Sequence, residues 1–310
     1  MKKIKVVLVG AGNMASQYLK VLSVNKKVEL TGIFSRTFDK AENLKLKFNI
    51  KKNLHSIDDL YKETKADIVL VTVPGDHIFT ISKKLLNFPW LIFIEKPPGI
   101  NFYEYNQLLL KSKIQKKKIY VGMNRRYFSS TLNLIKKIKN IKEPRSIQIY
   151  DQQNTRIAKQ KGKSKKLILN WMYANSIHLI DYISFLTRGK INKIYFIQKT
   201  KNEINCFLKF TSGDVVNYIS RWNKPGPWQV KLSTNKYYFE MSPLETLRIK
   251  SDLNKKDILI DISKNDKKFK TGLKLQIDDL INVFLNKKNK LVDLKGMYKT
   301  INLINKIYSR

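Results

Sequence analysis

The first third of the chain alternates short apolar runs with segments of helical spacing. The runs that predict strands cover residues 4–9, 28–34, 67–73, 91–94 and 118–121. The helical segments cover residues 13–23, 38–47 and 56–63. Near-continuous apolar strands separated by helices are typical of a parallel sheet covered on both faces. We therefore predict an α/β fold whose N-terminal domain, residues 1–121, is a doubly wound Rossmann sheet.

The rest of the chain, residues 122–310, has a different pattern. Its predicted strands cover residues 146–151, 193–198, 205–211, 215–222, 228–233, 237–241 and 257–262. Ser212-Gly213-Asp214 reads as a hairpin turn between two of them, which favours an antiparallel sheet. One strong helix is predicted over 175–186, and the end of the chain is helical over 275–285 and 294–308. A charged, glycine-containing loop is predicted over 158–166.

The composition is that of a globular protein. Of the 310 residues, 43% are hydrophobic and 27% are charged, which excludes global disorder. A single cysteine, Cys206, excludes a disulfide scaffold within the chain and a cysteine zinc site. With three histidines in all, no metal site is predicted.

The charge is strongly basic, with 61 Lys and Arg against 24 Asp and Glu and a net charge of +37. Only nine of the 61 are Arg, the residue that phosphate forks and base edges favour, and the Lys are spread along the whole chain. We interpret this as a drift of composition towards Lys, so that polyanions bind without specificity and no specific nucleic-acid partner is predicted. The sequence has no apolar run long enough to span a membrane and no convincing targeting signal. We therefore predict a cytoplasmic protein with no membrane partner.

A glycine motif follows the first predicted strand and opens the first helix. Gly10-Ala11-Gly12-Asn13-Met14-Ala15 fits the G-x-G-x-x-G/A pattern in its required strand–turn–helix context. Gly10 permits the tight turn, Gly12 lets a pyrophosphate approach the backbone, and Ala15 packs the helix on the strand. The pattern predicts dinucleotide binding at the helix N-terminus, and the alternative is a glycine turn in a domain that has lost its cofactor.

The end of the second strand bears on the choice between NAD and NADP. An NAD-specific site places an acidic residue there, whereas this chain has Ser35, Arg36 and Thr37. Ser and Arg can bind a 2′-phosphate that a carboxylate would repel, so NADP is favoured over NAD. In the alternative, Arg36 stacks over adenine and NAD is also accepted.

Two further segments follow strands of the predicted sheet, at the edge where ligands bind in such folds. Val73 ends the third apolar run and Pro74 and His77 follow it, where His77 either faces the cofactor or lies at a helix cap or on the surface. Glu95 and Lys96 precede a double proline that fixes a rigid turn with a potential cis bond. Lys96 either hydrogen-bonds a substrate hydroxyl and the nicotinamide ribose or is merely solvated.

The helix over 175–186 carries Asn175, His178 and Asp181 at a spacing of three among largely apolar residues. A narrow polar stripe on a buried helix indicates a lined cavity. The alternative is that Asn175 caps the helix and His178 is a satisfied core histidine.

Taken together, GAGNMA at the N-terminus, the EKP motif at Glu95 and the H-x-x-D helix at His178 resemble the glucose–fructose oxidoreductase/inositol dehydrogenase (Gfo/Idh/MocA) family. The resemblance covers essentially the whole chain in the family's order and spacing. It implies a Rossmann domain, a second α/β domain with an open, mostly antiparallel sheet for substrate binding and oligomerisation, a nicotinamide cofactor, and sugar or cyclitol substrates. The family's EKP lysine is catalytic and matches Lys96, and its proton-transfer histidine matches His178.

The motifs and the resemblance together give the candidate site. The predicted cofactor-binding residues are Gly10, Gly12, Asn13, Met14, Ser35, Arg36, Thr37, Val73, Pro74, His77, Glu95 and Lys96. The predicted substrate-binding residues are Asn124, Arg125, Tyr127, Trp171 and Asn175, and the predicted catalytic pair is Lys96 and His178. Arg125 or the adjacent Arg126 is also a candidate for a phosphate of a nucleotide sugar.

The chain departs from the family at one important point. Members often carry Asp four residues before the histidine and Gly two before it, where this chain has Ala174 and Ser176. Either Asn175 takes over substrate binding or the reaction differs from simple alcohol oxidation. We therefore predict an NAD(P)-dependent oxidoreductase of the CH–OH donor type, a homodimer or homotetramer, acting on a sugar-like substrate. The alternative is a non-catalytic dinucleotide-binding sensor or scaffold.

Overall fold

The computed structural model describes residues 2–200, 202–251 and 256–309. Within them the chain forms two compact units. The first comprises Met1–Asn124 and Lys268–Tyr298, and the second comprises Arg125–Lys267 and Lys299–Arg310. The segment 268–298, which lies beyond the boundary at residue 121 drawn from the sequence, thus belongs to the first unit.

The first unit is built on a six-stranded parallel sheet, counted over the described residues, with the order β3-β2-β1-β4-β5-β6. The strand order reverses direction between β1 and β4, which is the switch point where doubly wound sheets bind ligands. The predicted Rossmann sheet is therefore confirmed. Its strands are β1 Ile4–Val9, β2 Val28–Phe34, β3 Lys52–Leu54, β4 Ile68–Val71, β5 Leu91–Glu95 and β6 Ile119–Gly122.

Helices cover both faces of this sheet, as its apolar strands require, because all four residues of β4 and of β6 are buried. The helices α4, which follows directly on the predicted Pro74 turn, and α5 were not predicted. The helices of this unit are α1 Asn13–Leu22, α2 Phe38–Phe48, α3 Ile57–Thr64, α4 Gly75–Leu85, α5 Phe102–Ile114 and α11 Leu273–Phe284.

The second unit contains an eight-stranded sheet, again counted over the described residues, with the order β14-β13-β12-β11-β7-β10-β9-β8. All neighbours pair antiparallel except β7 and β10, which pair parallel. The predicted mostly antiparallel sheet is confirmed. Its strands are β7 Ser146–Gln153, β8 Ile191–Lys199, β9 Glu203–Phe210, β10 Val215–Trp222, β11 Trp228–Ser233, β12 Tyr238–Met241, β13 Leu247–Lys250 and β14 Ile258–Ile260.

One face of this sheet is buried through strict alternation, and α9 packs against β7 and β11. The buried positions include Cys206 of β9, a free thiol whose pKa burial raises to about 12. The other helices of the chain are α6 Ser129–Ile138, α7 Thr155–Gln160, α8 Lys165–Leu169, α9 Ile177–Leu186, α10 Lys264–Lys268 and α12 Leu294–Tyr308.

Two predictions for this part of the chain need correction. The predicted loop over 158–166 is wrong at both ends, because α7 extends into it and α8 begins within it. Asn154 and Ser164 cap these two short helices by accepting hydrogen bonds from Ile157 N and Leu167 N. The predicted helix over 175–186 begins later, at Ile177, because Asn175 and Ser176 belong to a π-helical turn, Met172–Ser176, which leads directly into α9.

Candidate functional site

The glycine turn after β1 has the geometry that its sequence predicts. Gly10 has φ of 109°, a backbone conformation that residues with a side chain rarely adopt. A Cβ there would also lie 2.9 Å from the backbone carbon of Thr72, so both the backbone conformation and the lack of space exclude a larger residue. Thr72 Oγ1, at the end of β4, donates to Gly10 O at 3.2 Å and holds the turn. A Cβ on Gly12 would meet no described atom within 4 Å.

Gly12 is also the N-cap of α1, and its backbone is extended with φ of −86° and ψ of −174°. The first N–H groups of a helix have no partners within the helix and attract anions. Asn13, exposed, and Met14, half-buried, occupy the first turn, whereas Ala15 is fully buried beneath it. These residues fit a dinucleotide pyrophosphate. The space beside Gly12 is free for the anion, and the buried Ala15 packs the helix against the strand.

The residues after β2 lie at the same carboxyl edge of the sheet. Arg36 and Thr37 are exposed, and Ser35 is half-buried. Ser35 Oγ accepts a hydrogen bond from Thr37 N at 3.3 Å, which fixes the local turn before α2. The guanidinium of Arg36 is thus carried on a short, ordered turn next to the glycine motif.

The residues after β4 form the start of α4. Pro74 is its N-cap, and His77 lies in its first turn with its backbone N donating to Pro74 O at 2.9 Å. Val73 and His77 are half-buried and Pro74 is exposed. The predicted segment therefore lies at the carboxyl end of a strand beside β1, where a cofactor is expected in this fold.

Glu95 ends β5, and its side chain is buried inside the first unit. Its Oε1 accepts a hydrogen bond of 2.5 Å from the hydroxyl of Tyr18. Since that hydroxyl proton goes to Glu95, the amide of Gln276 donates to Tyr18 Oη at 3.1 Å, and its oxygen accepts from Met123 N at 3.0 Å. A Cβ on Gly122 would lie 3.0 Å from Tyr18 Oη and 3.1 Å from Glu95 Oε1. The cluster of Tyr18, Glu95 and Gln276 thus holds the end of β5 rigidly, next to Lys96.

Burial dominates the electrostatics of this cluster. It raises the pKa of Glu95 although the hydrogen bond from Tyr18 and the charge of Lys96 act in the opposite direction. It also raises the pKa of Tyr18, and the neighbouring Glu95 adds to the effect. Lys96 itself is half-buried, and the Lys96–Pro97 peptide bond is cis, as the double proline allows.

In the second unit, His178 is 3% exposed and lies in the first turn of α9. Its ring is tilted towards the indole of Trp228, with 6.4 Å between the ring centroids. The guanidinium carbon of Arg125 lies 4.7 Å from the centroid of the same indole, at cation–π distance. His178, Trp228 and Arg125 therefore form one group.

Asn175 lies in the π-helical turn, and its side chain does not cap α9. Its Nδ2 donates to Gln153 Oε1 at 2.8 Å, and the indole Nε1 of Trp171 donates to the same oxygen at 2.7 Å. Gln153 Nε2 in turn donates to Asp151 Oδ1. Two predicted substrate residues, Asn175 and Trp171, are thus joined through one buried amide. π-helical turns are frequent at functional sites.

The network continues from Asp151 along the buried face of the sheet. Asp151 Oδ2 accepts from Tyr218 at 2.6 Å, and the hydroxyls of Tyr218 and Tyr308 lie 2.9 Å apart. Burial raises the pKa of Asp151, which its hydrogen bonds from Tyr218, Ser176 and Gln153 only partly offset. A buried carboxyl group thus lies next to the candidate substrate residues, joined to them through Gln153.

The remaining predicted residues are held by neighbours in their own units. Arg126 forms a bidentate pair with Asp181, with both contacts at 2.7 Å, so its guanidinium serves that carboxylate rather than a phosphate. Thr300 Oγ1 also donates to Asp181 at 2.7 Å. Asn124 is buried and donates to Thr271 O at 3.1 Å, and Tyr127 is buried at the end of the same 3₁₀ turn.

Sequence reasoning missed Gln153, Asp151 and Trp228. A signal for the first two was available, because Ile147 and Ile149 begin a period-two pattern on β7 that Asp151 and Gln153 continue into buried positions. Polar residues at such positions need partners. Trp228 follows a Pro-Gly-Pro turn, which gave no hint of its contact with His178.

Within residues 2–200, 202–251 and 256–309, no three His, Cys, Asp or Glu side chains are placed to hold a metal ion. In the same ranges, no helix is long and apolar enough to cross a membrane.

Residues 4–123 match the family model described as the oxidoreductase family, NAD-binding Rossmann fold. No curated protein matches the chain in sequence. Solved structures resemble it over nearly the full length, at identities that show the fold alone.

Three of these structures are enzymes with named substrates or cofactors. UDP-N-acetylglucosamine 3-dehydrogenase from Acidithiobacillus ferrooxidans has a TM-score of 0.79 and 16% identity, covering 99% of this chain and 97% of its own. A 3-ketoreductase from Actinomadura kijaniata, solved with NADP, has a TM-score of 0.78 and 12% identity, covering 99% and 97%. Myo-inositol 2-dehydrogenase from Lactobacillus plantarum has a TM-score of 0.75 and 15% identity, covering 98% and 96%.

The glycine turn, the strand order and the family match agree. The sequence resemblance is thereby confirmed for the first domain: residues 4–123 match the NAD-binding Rossmann fold of the Gfo/Idh/MocA oxidoreductase family.

Proposed function

We propose that the protein is an NAD(P)-dependent oxidoreductase acting on a secondary alcohol or ketone of a sugar-like substrate, including nucleotide sugars and cyclitols. The observation that carries the proposal is the family match over residues 4–123, with the open backbone at Gly12 at the start of α1. Two similar folds, the UDP-N-acetylglucosamine and myo-inositol dehydrogenases, support a polyhydroxylated substrate.

The cofactor is proposed to lie along the carboxyl edge of the first sheet. Gly12, Asn13 and Met14 hold its pyrophosphate, and Val73, Pro74 and His77 border it at the end of β4. We favour NADP, because Ser35 and Arg36 provide a hydroxyl and a guanidinium at the end of β2 and the 3-ketoreductase of similar fold was solved with NADP.

The proposed chemistry assigns one role to each catalytic residue. A bound nicotinamide supplies the hydride acceptor for oxidation or the hydride donor for reduction. In the oxidation direction, His178 accepts the proton of the substrate hydroxyl. Lys96 is assigned a hydrogen bond to a substrate hydroxyl, as the family resemblance implies, and the cluster of Tyr18, Glu95 and Gln276 fixes the strand end that precedes Lys96.

Substrate orientation is assigned to Asn124, Arg125, Tyr127, Trp171 and Asn175. Arg126 is not proposed for a substrate phosphate, because its guanidinium pairs with Asp181. Arg125 is proposed for this role, because its guanidinium lies against the Trp228 ring in the group that contains His178. We also propose a homodimer or homotetramer. On the side of the second sheet opposite to α9, Tyr150, Phe207 and Ile219 remain half-buried in the single chain.

A second candidate function rests on Ala174, which replaces the family's usual carboxylate one turn before His178. A protein that binds the dinucleotide without turnover, as a sensor or scaffold, would need no carboxylate there.

One experiment separates the two functions. The full-length protein is incubated with NADP⁺ or NAD⁺ and a panel containing UDP-N-acetylglucosamine, myo-inositol and simple aldoses, and reduced nicotinamide is followed by absorbance. Turnover with at least one member, faster with NADP⁺, is expected for the oxidoreductase. Cofactor binding by calorimetry with no turnover across the panel in either direction would favour the sensor or scaffold.

A further inference from the structure

Gln153 is a buried amide at the end of β7, 1% exposed, with three polar contacts. Its oxygen accepts from Trp171 Nε1 at 2.7 Å and from Asn175 Nδ2 at 2.8 Å, and its nitrogen donates to Asp151. Every hydrogen-bonding atom of this side chain is therefore engaged with a neighbour in the second unit.

Trp171 fixes the orientation of this amide. An indole nitrogen is a donor and never an acceptor, so the Gln153 atom that faces it must be the carbonyl oxygen. The nitrogen then points to Asp151, whose oxygen Oδ1 can accept it. The orientation of the Gln153 amide therefore follows from the indole N–H being a donor only.

The orientation of Gln153 determines that of Asn175. Because the shared atom is a carbonyl oxygen, Asn175 must present its NH₂ group to it. Over the described residues, the structure gives Oδ1 of Asn175 no hydrogen bond, and the residue is half-buried rather than enclosed. Asn175 therefore offers Oδ1 to a ligand as an acceptor, while one N–H of its NH₂ group is held by Gln153.

We propose that Gln153 is a positioning residue that sets the polarity of Asn175 and Trp171, so that the substrate must present a hydrogen-bond donor, a hydroxyl or N–H, to Asn175 Oδ1. The assignment of Asn175 to substrate rests on the proposed function. The polarity of the network does not, because it follows from contacts within the second unit.

The positioning role is tested without any substrate. The indole N–H of Trp171 is observed in ¹⁵N-labelled full-length protein and assigned with Trp171→Phe. Gln153→Leu should accelerate exchange of this proton with solvent by about tenfold or more, because the buried donor loses its acceptor. Gln153→Glu keeps an acceptor for Trp171 and, with one proton shared with the buried Asp151, should retain the slow exchange, which guards against misfolding of the leucine variant. Gln148→Leu, an exposed glutamine on the same strand, is the matched control.

The donor requirement is tested with myo-inositol and UDP-N-acetylglucosamine and their deoxyfluoro analogues, in the presence of NADP⁺. A fluorine replaces the hydroxyl in size but donates no proton, so one analogue should bind at least about tenfold more weakly than its parent. Asn175→Ala and Gln153→Leu should remove that discrimination, and Gln148→Leu should keep it.

The outcomes separate the two ideas. Exchange at Trp171 that is unchanged in Gln153→Leu would overturn the positioning role, and discrimination that survives Asn175→Ala would overturn the donor requirement. Absence of binding by either parent compound would count against the proposed sugar chemistry and, with it, the ligand half of this proposal, while the exchange experiment still decides the polarity of the network.

Discussion

Glu95 is a carboxyl group enclosed within the first unit, and this has a consequence for the effect of pH on stability. Its raised pKa means that the folded protein binds the carboxyl proton more tightly than the unfolded chain does. That contribution to stability is fully present below the ordinary glutamate pKa of 4.5 and is lost as the pH rises through the raised value.

Glu95→Gln should therefore gain in stability relative to the wild type as the pH rises above 4.5. The glutamine can still accept the hydrogen bond from Tyr18 but carries no buried charge. Free energies of unfolding from denaturant titrations at several pH values between about 5 and 8 measure the difference. Glu63→Gln, at an exposed glutamate of the same unit, is the control. A difference between Glu95→Gln and wild type that does not change with pH would contradict the argument.

Arg36 sets the expected cofactor preference. The wild type should bind NADPH at least as tightly as NADH, and Arg36→Asp should reverse the order, because a carboxylate repels a 2′-phosphate and accepts ribose hydroxyls. Calorimetric titrations measure both affinities, with Arg248→Asp, at an exposed position of β13, as a control for net charge. A wild-type preference for NADH of tenfold, about 1.4 kcal/mol, would rule out the NADP assignment.

His178 carries the proposed proton transfer. His178→Asn should lower turnover of a substrate by about 10²–10⁴-fold, the usual contribution of a general base, with little change in cofactor affinity. His55→Asn is the matched control, since His55 is exposed and stacks on Phe38 at 4.7 Å between ring centroids. Unchanged kinetics in His178→Asn would reject the assigned mechanism and leave the Rossmann fold intact.

At the scale of elements, the turn between β1 and α1 contains two glycines with different functions. Gly10→Ala should destabilise the fold by about 1–3 kcal/mol, because φ of 109° strains an L-residue and the added carbon meets Thr72. Gly12→Ala should change stability by less than about 0.5 kcal/mol, because its φ of −86° suits alanine and no described atom is in the way.

Gly12→Ala, which should leave stability nearly unchanged, should instead impair ligand binding. Gly12→Ala should weaken dinucleotide binding by about tenfold or more, since the methyl group stands where the pyrophosphate approaches the backbone. Thermal unfolding and calorimetry with NADPH give both quantities for both variants. Equal losses of stability in the two variants would refute the division of roles.

The strands of the Rossmann sheet could be predicted closely, and β1 and β2 have the predicted ends, because a strand buried on both faces is a continuous apolar run bounded by polar turns. The short β3 and β13 escaped prediction, because charged or polar residues interrupt their few apolar ones. The π-helical turn before α9 also escaped prediction, since its residues differ little in spacing from an ordinary helix.

Only those residues of the candidate site that belong to sequence motifs could be predicted. Gly10, Gly12 and Arg36 stand next to strand ends that the pattern itself locates. The contact of Gln153 with Asn175 joins residues on β7 and on the π-helical turn, and such a pairing depends on how a helix seats on a sheet. The pairing of Arg126 with Asp181 was missed for the same reason.

At the scale of the whole molecule, the net charge of +37 predicts adhesion to polyanions of any sequence. Retention on RNA should be lost as salt rises from about 50 to 200 mM, because such binding is driven by release of counterions. Filter binding across a salt series measures this. A folded complex that persists at high salt would indicate a specific nucleic-acid partner, contrary to the interpretation of the lysines as a drift in composition.

Cys206 gives the second unit a built-in chemical reporter. The chain has one cysteine, and in the structure this thiol is buried on β9, between β8 and β10. A thiol reagent in excess can label it only in molecules whose sheet has opened, so the labelling rate measures the free energy of that opening. A ligand that binds the closed unit slows labelling by the factor 1 + [L]/Kd. The unmodified protein can thus be screened against sugars by mass spectrometry before any reaction is known.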